Sequence, residues 1–162
     1  MTSNTPDEAG EILIALGANI PSEAGPPLLT LKAALASLEN AGVTILRVSA
    51  FYETQAWPNP ADPPFVNAVA AVQTDLQPFA LLTLLHDVET AQGRKRSAPN
   101  APRTLDIDLI DYRGRVEEGQ VQLPHPKAAT RRFVLEPLKD VSPDWQHPVS
   151  GQDLETMLAA IG

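Results

Sequence analysis

Two aspartates one residue apart in an apolar run, Leu105-Asp106-Ile107-Asp108-Leu109, have the strongest claim to chemistry in this sequence. Read as a strand, the segment turns Leu105, Ile107 and Leu109 to one face and both carboxylates to the other, close together. Aspartate is disfavoured in strands, and like charges side by side repel. A bound divalent cation removes that repulsion, and hard oxygen ligands without Cys or His beside them suit Mg²⁺. The solvated face of an ordinary amphipathic strand has the same pattern, so the pair alone decides nothing.

Its surroundings narrow the choice. Arg94, Lys95, Arg96 and Arg103 crowd into the stretch just before the pair, and Arg131 and Arg132 follow it, in a chain whose net charge is −8. Guanidinium forks match phosphate oxygens, and Mg²⁺ that bridges phosphates needs only one or two carboxylates besides. Arginines and carboxylates flanking one loop therefore read as a nucleotide-polyphosphate site, or as a basic loop salt-bridged to acidic neighbours. No Walker A sequence is present, so such a site is not a P-loop. His125, between Pro124 and Pro126, is placed to touch phosphate, to donate a proton, or only to shape a loop. His86 and His147 lie too far off in sequence to make a zinc pattern with it. Asn67, in an otherwise apolar strand, needs partners if buried: a heterocycle edge or its own backbone. Phe65 and Phe133 would stack on a flat ring or pack in the core.

The elements that must position these residues follow from periodicity. Ile12 to Leu16 is a buried strand ended by Gly17-Ala18-Asn19. Leu28, Leu31, Leu35 and Leu38 recur at helical spacing. Val43 to Thr54 is β-rich with one slip in its alternation, a candidate bulge. Four prolines make Trp57 to Pro64 a loop. Phe65 to Thr74 is strand-like, and Pro78 to Gln92 is a helix with a Leu81, Leu82, Leu85, Val88 stripe. Arg94 to Arg103 is a basic loop, and Thr104 to Tyr112 a strand with period-two alternation. Helices are expected near Thr130 to Leu138 and from Asp153 to Ile161. The order β-α-β-β-α-β is that of a ferredoxin-like α+β sandwich with a mainly antiparallel sheet and added C-terminal helices. Residues 1–10 are expected to be a flexible N-terminus and 11–162 a single domain. With 43% hydrophobic residues but only 5% aromatic ones, the core must rest on Leu, Ile, Val and Ala.

The acidic balance argues against nucleic acid as a partner. There is no cysteine, so disulfides and thiolate sites are excluded. Neither a signal peptide nor an apolar run of membrane-helix length stands out, which leaves a soluble, cytoplasmic protein as the expectation.

Together the segments resemble the hydroxymethyl-dihydropterin pyrophosphokinase family from about Ile12 to Leu138. The matching stretches are LGAN (Leu16 to Asn19), FYET (Phe51 to Thr54), FVNAV (Phe65 to Val69), LLHDVE then GRKR (Leu84 to Arg96), PRTLDIDLI (Pro102 to Ile110), LPHP (Leu123 to Pro126) and RRFVLEPL (Arg131 to Leu138). PRTLDIDLI, spaced between GRKR and LPHP, is the most specific. The chain departs from the family pattern at Ala18, where Ser is usual, at Pro126, often aromatic, and in lacking a tryptophan between Arg96 and Arg103.

The resemblance implies transfer of the diphosphate of ATP to the hydroxymethyl group of 6-hydroxymethyl-7,8-dihydropterin. It implies Asp106 and Asp108 as ligands of two Mg²⁺ ions, with Arg94, Arg96 and Arg103 completing the catalytic set and Arg96 on a closing loop. Arg94, Arg103, Ile107, His125, Arg131 and His86 become nucleotide contacts. Thr54, Gln55, Trp57, Phe65, Asn67, Glu89 and Phe133 become the pterin side, with Phe65 and Phe133 sandwiching the ring. A monomer is expected, with no fused dihydropteroate synthase or aldolase in 162 residues. Two rivals stay open: a ferredoxin-like sensor that binds nucleotide without turnover, and a phosphotransferase that attacks the γ-phosphorus.

Overall fold

The computed structural model describes residues 10–55, 61, 64–93 and 104–161. Strand β1 (Ile12–Ala18) is buried along its whole length. Its even residues from Ile12 to Ala18 enter one apolar cluster, and Leu13 and Ala15 enter another on the opposite face. A strand covered on both faces reads as a continuous apolar run rather than an alternation.

Around β1 the sheet runs β2 (Thr44–Val48), β4 (Phe65–Gln73), β1, β5 (Asp106–Tyr112), with β3 (Tyr52–Thr54) on β4 and every pairing antiparallel. Helices α1 (Pro27–Asn40) and α2 (Pro78–Ala91) cover the first face. Each begins on a proline, whose missing N–H would have had no helical partner there. Gly93, at φ +88, takes the left-handed conformation just past α2. Helices α3 (Arg132–Val141) and α4 (Leu154–Ile161) cover the second face through Val134, Leu135, Leu138, Leu154 and Met157. The expected βαββαβ order is therefore present, and the C-terminal helices make a third layer.

Three details differ from the sequence reading. Val43 to Thr54 is two strands, not one. The edge kinks at Ser49–Phe51, where the Ser49 N–H donates to the Val69 carbonyl and Ser49 Oγ accepts the Val69 N–H. Strand β5 begins at Asp106 instead of Thr104, and a bulge at Ile110 breaks its alternation. Ile110 joins the second cluster, and Asp111 accepts a hydrogen bond from Trp145 Nε1 at 2.8 Å on that side. Gly10, assigned from sequence to the flexible terminus, packs so closely on Arg113 that a Cβ would lie 2.6 Å from its Cα.

Candidate active site

The carboxylate pair is set by register. Asp106 lies opposite Gly17, Gly17 opposite Asn67, and Asn67 opposite Tyr52, one row across four strands. Asp108, Ala15 and Val69 form the next row. Side chains in aligned rows share a face, and this face is the one α3 packs on. Asp108 stands between two groups: Arg131 Nη1 at 3.7 Å and His125 Nε2 at 3.8 Å. Both distances exceed direct hydrogen bonds, so these contacts are electrostatic.

His125 is positioned by its own loop. Its N–H donates to the Ile110 carbonyl, and the Lys127 N–H donates to its Nδ1 at 3.1 Å. That occupies Nδ1 as acceptor and leaves the proton on Nε2, facing Asp108. Burial, helped by the Arg131 charge, holds the imidazole below its ordinary pKa, so it is neutral at neutral pH.

The other end of the row is polar but uncharged. Asn67 is buried, and its Nδ2 donates to Thr54 Oγ1 at 2.8 Å. Its Oδ1 lies over Gly17, where a Cβ would come within 2.9 Å of it and 3.8 Å from the Phe65 ring. Glycine in a buried strand marks such a close approach. Phe65 is partly buried; Phe133, in the first turn of α3, is 41% exposed, with the Arg131 guanidinium 5.4 Å from its ring centroid. An exposed aromatic beside a charged row is not a core residue.

Around the free edge of β5 lies a cleft of about 300 Å³, walled by Leu82, His86 and Glu89 of α2, by Asp106 to Leu109, and by residues of the 121–126 loop. Glu89 is buried, and its Oε2 accepts the Ile107 N–H at 2.7 Å. It thus satisfies an edge donor between the two aspartates. Among the described residues, no three His, Cys, Asp or Glu gather into a metal cage. Asp106 and Asp108 nonetheless suit a cation such as Mg²⁺, which keeps waters and takes further oxygens from phosphate.

The family model described as 7,8-dihydro-6-hydroxymethylpterin-pyrophosphokinase (HPPK) matches residues 13–143. The chain belongs to the HPPK family. A 2-amino-4-hydroxy-6-hydroxymethyldihydropteridine pyrophosphokinase of Synechocystis sp. is 35% identical over 96% of this chain and 78% of its own length. One of Pseudomonas aeruginosa is 38% identical over 92% and 90%. The chain also matches the folic acid synthesis protein fol1 of Pneumocystis carinii at 33% identity, spanning 93% of this chain but 20% of that protein. The HPPK-DHPS crystal structure from Plasmodium falciparum superposes with a TM-score of 0.71 at 13% identity, over 93% of this chain and 44% of that one. At that identity the likeness is one of fold.

For this HPPK-family chain, the residues expected to act together fall into three groups. Asp106, Asp108, His125 and Arg131 meet at one end of the row, and Thr54, Phe65 and Asn67 at the other, with Phe133 beside Arg131. His86, Glu89 and Ile107 line the β5 edge cleft, which Asp106, Asp108 and His125 also border. Gln55 is exposed just past β3. Arg94, Arg96, Arg103 and Trp57 lie outside the described residues. Gly17, read from the sequence only as part of a turn, lies in the row between Asp106 and Asn67; its signal was a glycine next to an apolar strand.

Proposed function

We propose that this chain transfers the β,γ-diphosphate of ATP to the hydroxymethyl oxygen of 6-hydroxymethyl-7,8-dihydropterin and releases AMP, a step of folate biosynthesis. The observation that carries the reading is one sheet face, in a member of the HPPK family, with paired carboxylates on β5 and a buried amide on β4 in register with one of them. A charged, anion-handling end and a neutral end that reads a heterocycle are what a polyphosphate donor and a pterin acceptor require. No observation favours a non-catalytic sensor.

In the proposed reaction the hydroxymethyl oxygen attacks the β-phosphorus and loses its proton. The bond between the β-phosphorus and the α,β-bridging oxygen breaks, and that oxygen leaves on AMP. Asp106 and Asp108 are the proposed ligands of two Mg²⁺ ions, which when bound would neutralise charge on the phosphate oxygens. Arg131 brings a fixed positive charge to the same place, and His125 offers its Nε2–H to a phosphate oxygen without adding charge. In this proposal Arg94, Arg96 and Arg103 serve the phosphates as well. Asn67, oriented by Thr54, hydrogen-bonds the pyrimidine edge, while Phe65 and Phe133 take the two faces of the ring. Glu89 holds the β5 edge at Ile107, and His86 and Ile107 contact the nucleotide. Gln55 and Trp57 lie on the acceptor side. Phosphoryl-type transfer asks mostly for alignment and charge stabilisation, and these residues supply both.

Both ends of the row come from one polypeptide, so the proposal takes a cytoplasmic monomer as the working unit, with no nucleic acid or membrane partner. Among the described residues no helix is long and apolar enough to cross a membrane. Purified protein given MgATP and the pterin should form AMP and a pterin diphosphate in equal amounts, resolved by ion-exchange chromatography. ADP as the nucleotide product would replace this reading with γ-phosphoryl transfer.

A further inference from the structure

Helix α3 packs chiefly on β4, and its two ends meet different groups. At its start Arg131 faces Asp108 of β5. At its end one oxygen, Asp140 Oδ2, accepts both the Ala50 N–H at 3.0 Å and the Tyr52 hydroxyl at 2.7 Å. The next carbonyl, of Val141, accepts from Arg47 Nε of β2 at 2.9 Å, and the same guanidinium pairs with Glu11. The body of α3 lies chiefly over β4 and also touches β2 and β3, so the end tied to the kinked sheet edge is the one that carries Asp140 and Val141.

Asp140 is an odd choice for a helix end. An acid in the last turn of a helix meets the negative pole of the dipole, and Glu136 lies one turn back. The two hydrogen bonds it accepts offset that. The Tyr52 hydroxyl is committed to this bond, which raises its pKa together with burial and the nearby acids.

What the bonds hold is the kinked edge. Ser49 stitches the kink to β4 on one side, and Asp140 pins Ala50 and Tyr52 from the other. Tyr52 is the cross-strand partner of Asn67, and Thr54, two residues on, accepts from the Asn67 amide. Phe133 rides on the helix that Asp140 terminates.

We propose that Asp140 is a positioning residue for the acceptor. By locking β3 to the end of α3 it sets the gap between Phe133 on the helix and Thr54, Phe65 and Asn67 on the sheet. It governs affinity for the flat ring without touching it. The inference rests on the acceptor assignment made under Proposed function.

The test compares Asp140→Ala, Asp140→Asn and Tyr52→Phe with wild type, measuring KM for pterin and for MgATP, pterin Kd by calorimetry, and melting temperature. Asp140→Ala should raise the pterin KM and Kd about tenfold while the MgATP KM stays within twofold. Tyr52→Phe should give a smaller rise, and Asp140→Asn, which keeps an acceptor oxygen, should recover most of the loss. A folded Asp140→Ala protein with an unchanged pterin KM, or with both KM values raised alike, overturns the inference and leaves a merely structural contact. If Asp140→Ala does not fold, an unchanged pterin KM in Tyr52→Phe overturns it equally. Should wild type neither bind nor turn over the pterin, the functional reading fails and this inference with it; AMP formation by wild type separates the two failures.

Discussion

Among the described residues, Asp108 faces two groups of unlike kind, a permanent cation in Arg131 at 3.7 Å and a neutral imidazole in His125 at 3.8 Å. Partly exposed ion pairs at such distances contribute little to stability. Asp108→Ala should therefore leave the melting temperature within a few degrees of wild type while turnover falls below about one-hundredth, on the order of what losing a preorganised electrostatic contact costs. Near-wild-type turnover would remove Asp108 from the reaction. At this scale the sequence carried much: the alternation in Leu105 to Leu109 does put the two carboxylates on one face, and Asn67 does find a side-chain partner. It did not carry the His125 tautomer, because the bond that fixes it comes from a turn geometry that His-Pro-Lys does not announce. Nor did it carry Gly17, whose reason is a side chain on a strand about 50 residues away in sequence.

Among the elements, the helices were legible because leucine spacing is local. Leu31 and Leu38 are fully buried, though Leu28 ends partly exposed at the rim. The slip read in Val43 to Thr54 is present as a register shift at Leu46 in β2. The break between β2 and β3 and the bulge in β5 were not legible, because contacts from distant segments make them. Asp140 reaches back 90 residues to Ala50, and Trp145 reaches 34 residues to Asp111 at the β5 bulge. Asp111 has a consequence of its own. Burial raises its carboxyl above 3.8, outweighing the opposing hydrogen bonds from Trp145 and the Gly114 N–H. Between 3.8 and the raised folded value, the folded chain holds more protons than the unfolded one. Stability then falls as pH rises through that window, and the cost disappears below it. Asp111→Asn carries no such charge, so its urea midpoint relative to wild type should improve as pH climbs from below 3.8 toward neutrality. A constant difference across that range would mean that Asp111 does not titrate differently on folding.

As a whole, the molecule is three layers sharing one central sheet. Leu13 and Ala15 of β1 serve one interface and Ile12, Ile14 and Leu16 the other. Neither helical layer can leave without exposing a face of the same strands, so the layers should unfold together. In a Trp57→Phe background, urea transitions followed by Trp145 fluorescence and by far-ultraviolet circular dichroism should coincide; separated midpoints would show the α3–α4 layer melting alone. The core is built as the composition required, from Leu, Ile, Val and Ala, with Trp145 and Tyr112 as its buried aromatics among the described residues. The third layer was legible only as added helices, since nothing local says which face of a sheet a late helix will take.

The central claim is that the row from Asp106 to Asn67 serves diphosphate transfer to a pterin alcohol. The most direct measurement uses ATP labelled with ³²P at the β-phosphorus and follows the label with purified protein, the pterin and Mg²⁺. All transferred label should appear on the pterin, with unlabelled AMP as the partner product, and Asp108→Ala should abolish the transfer. Label retained on ADP beside a pterin monophosphate would contradict the account.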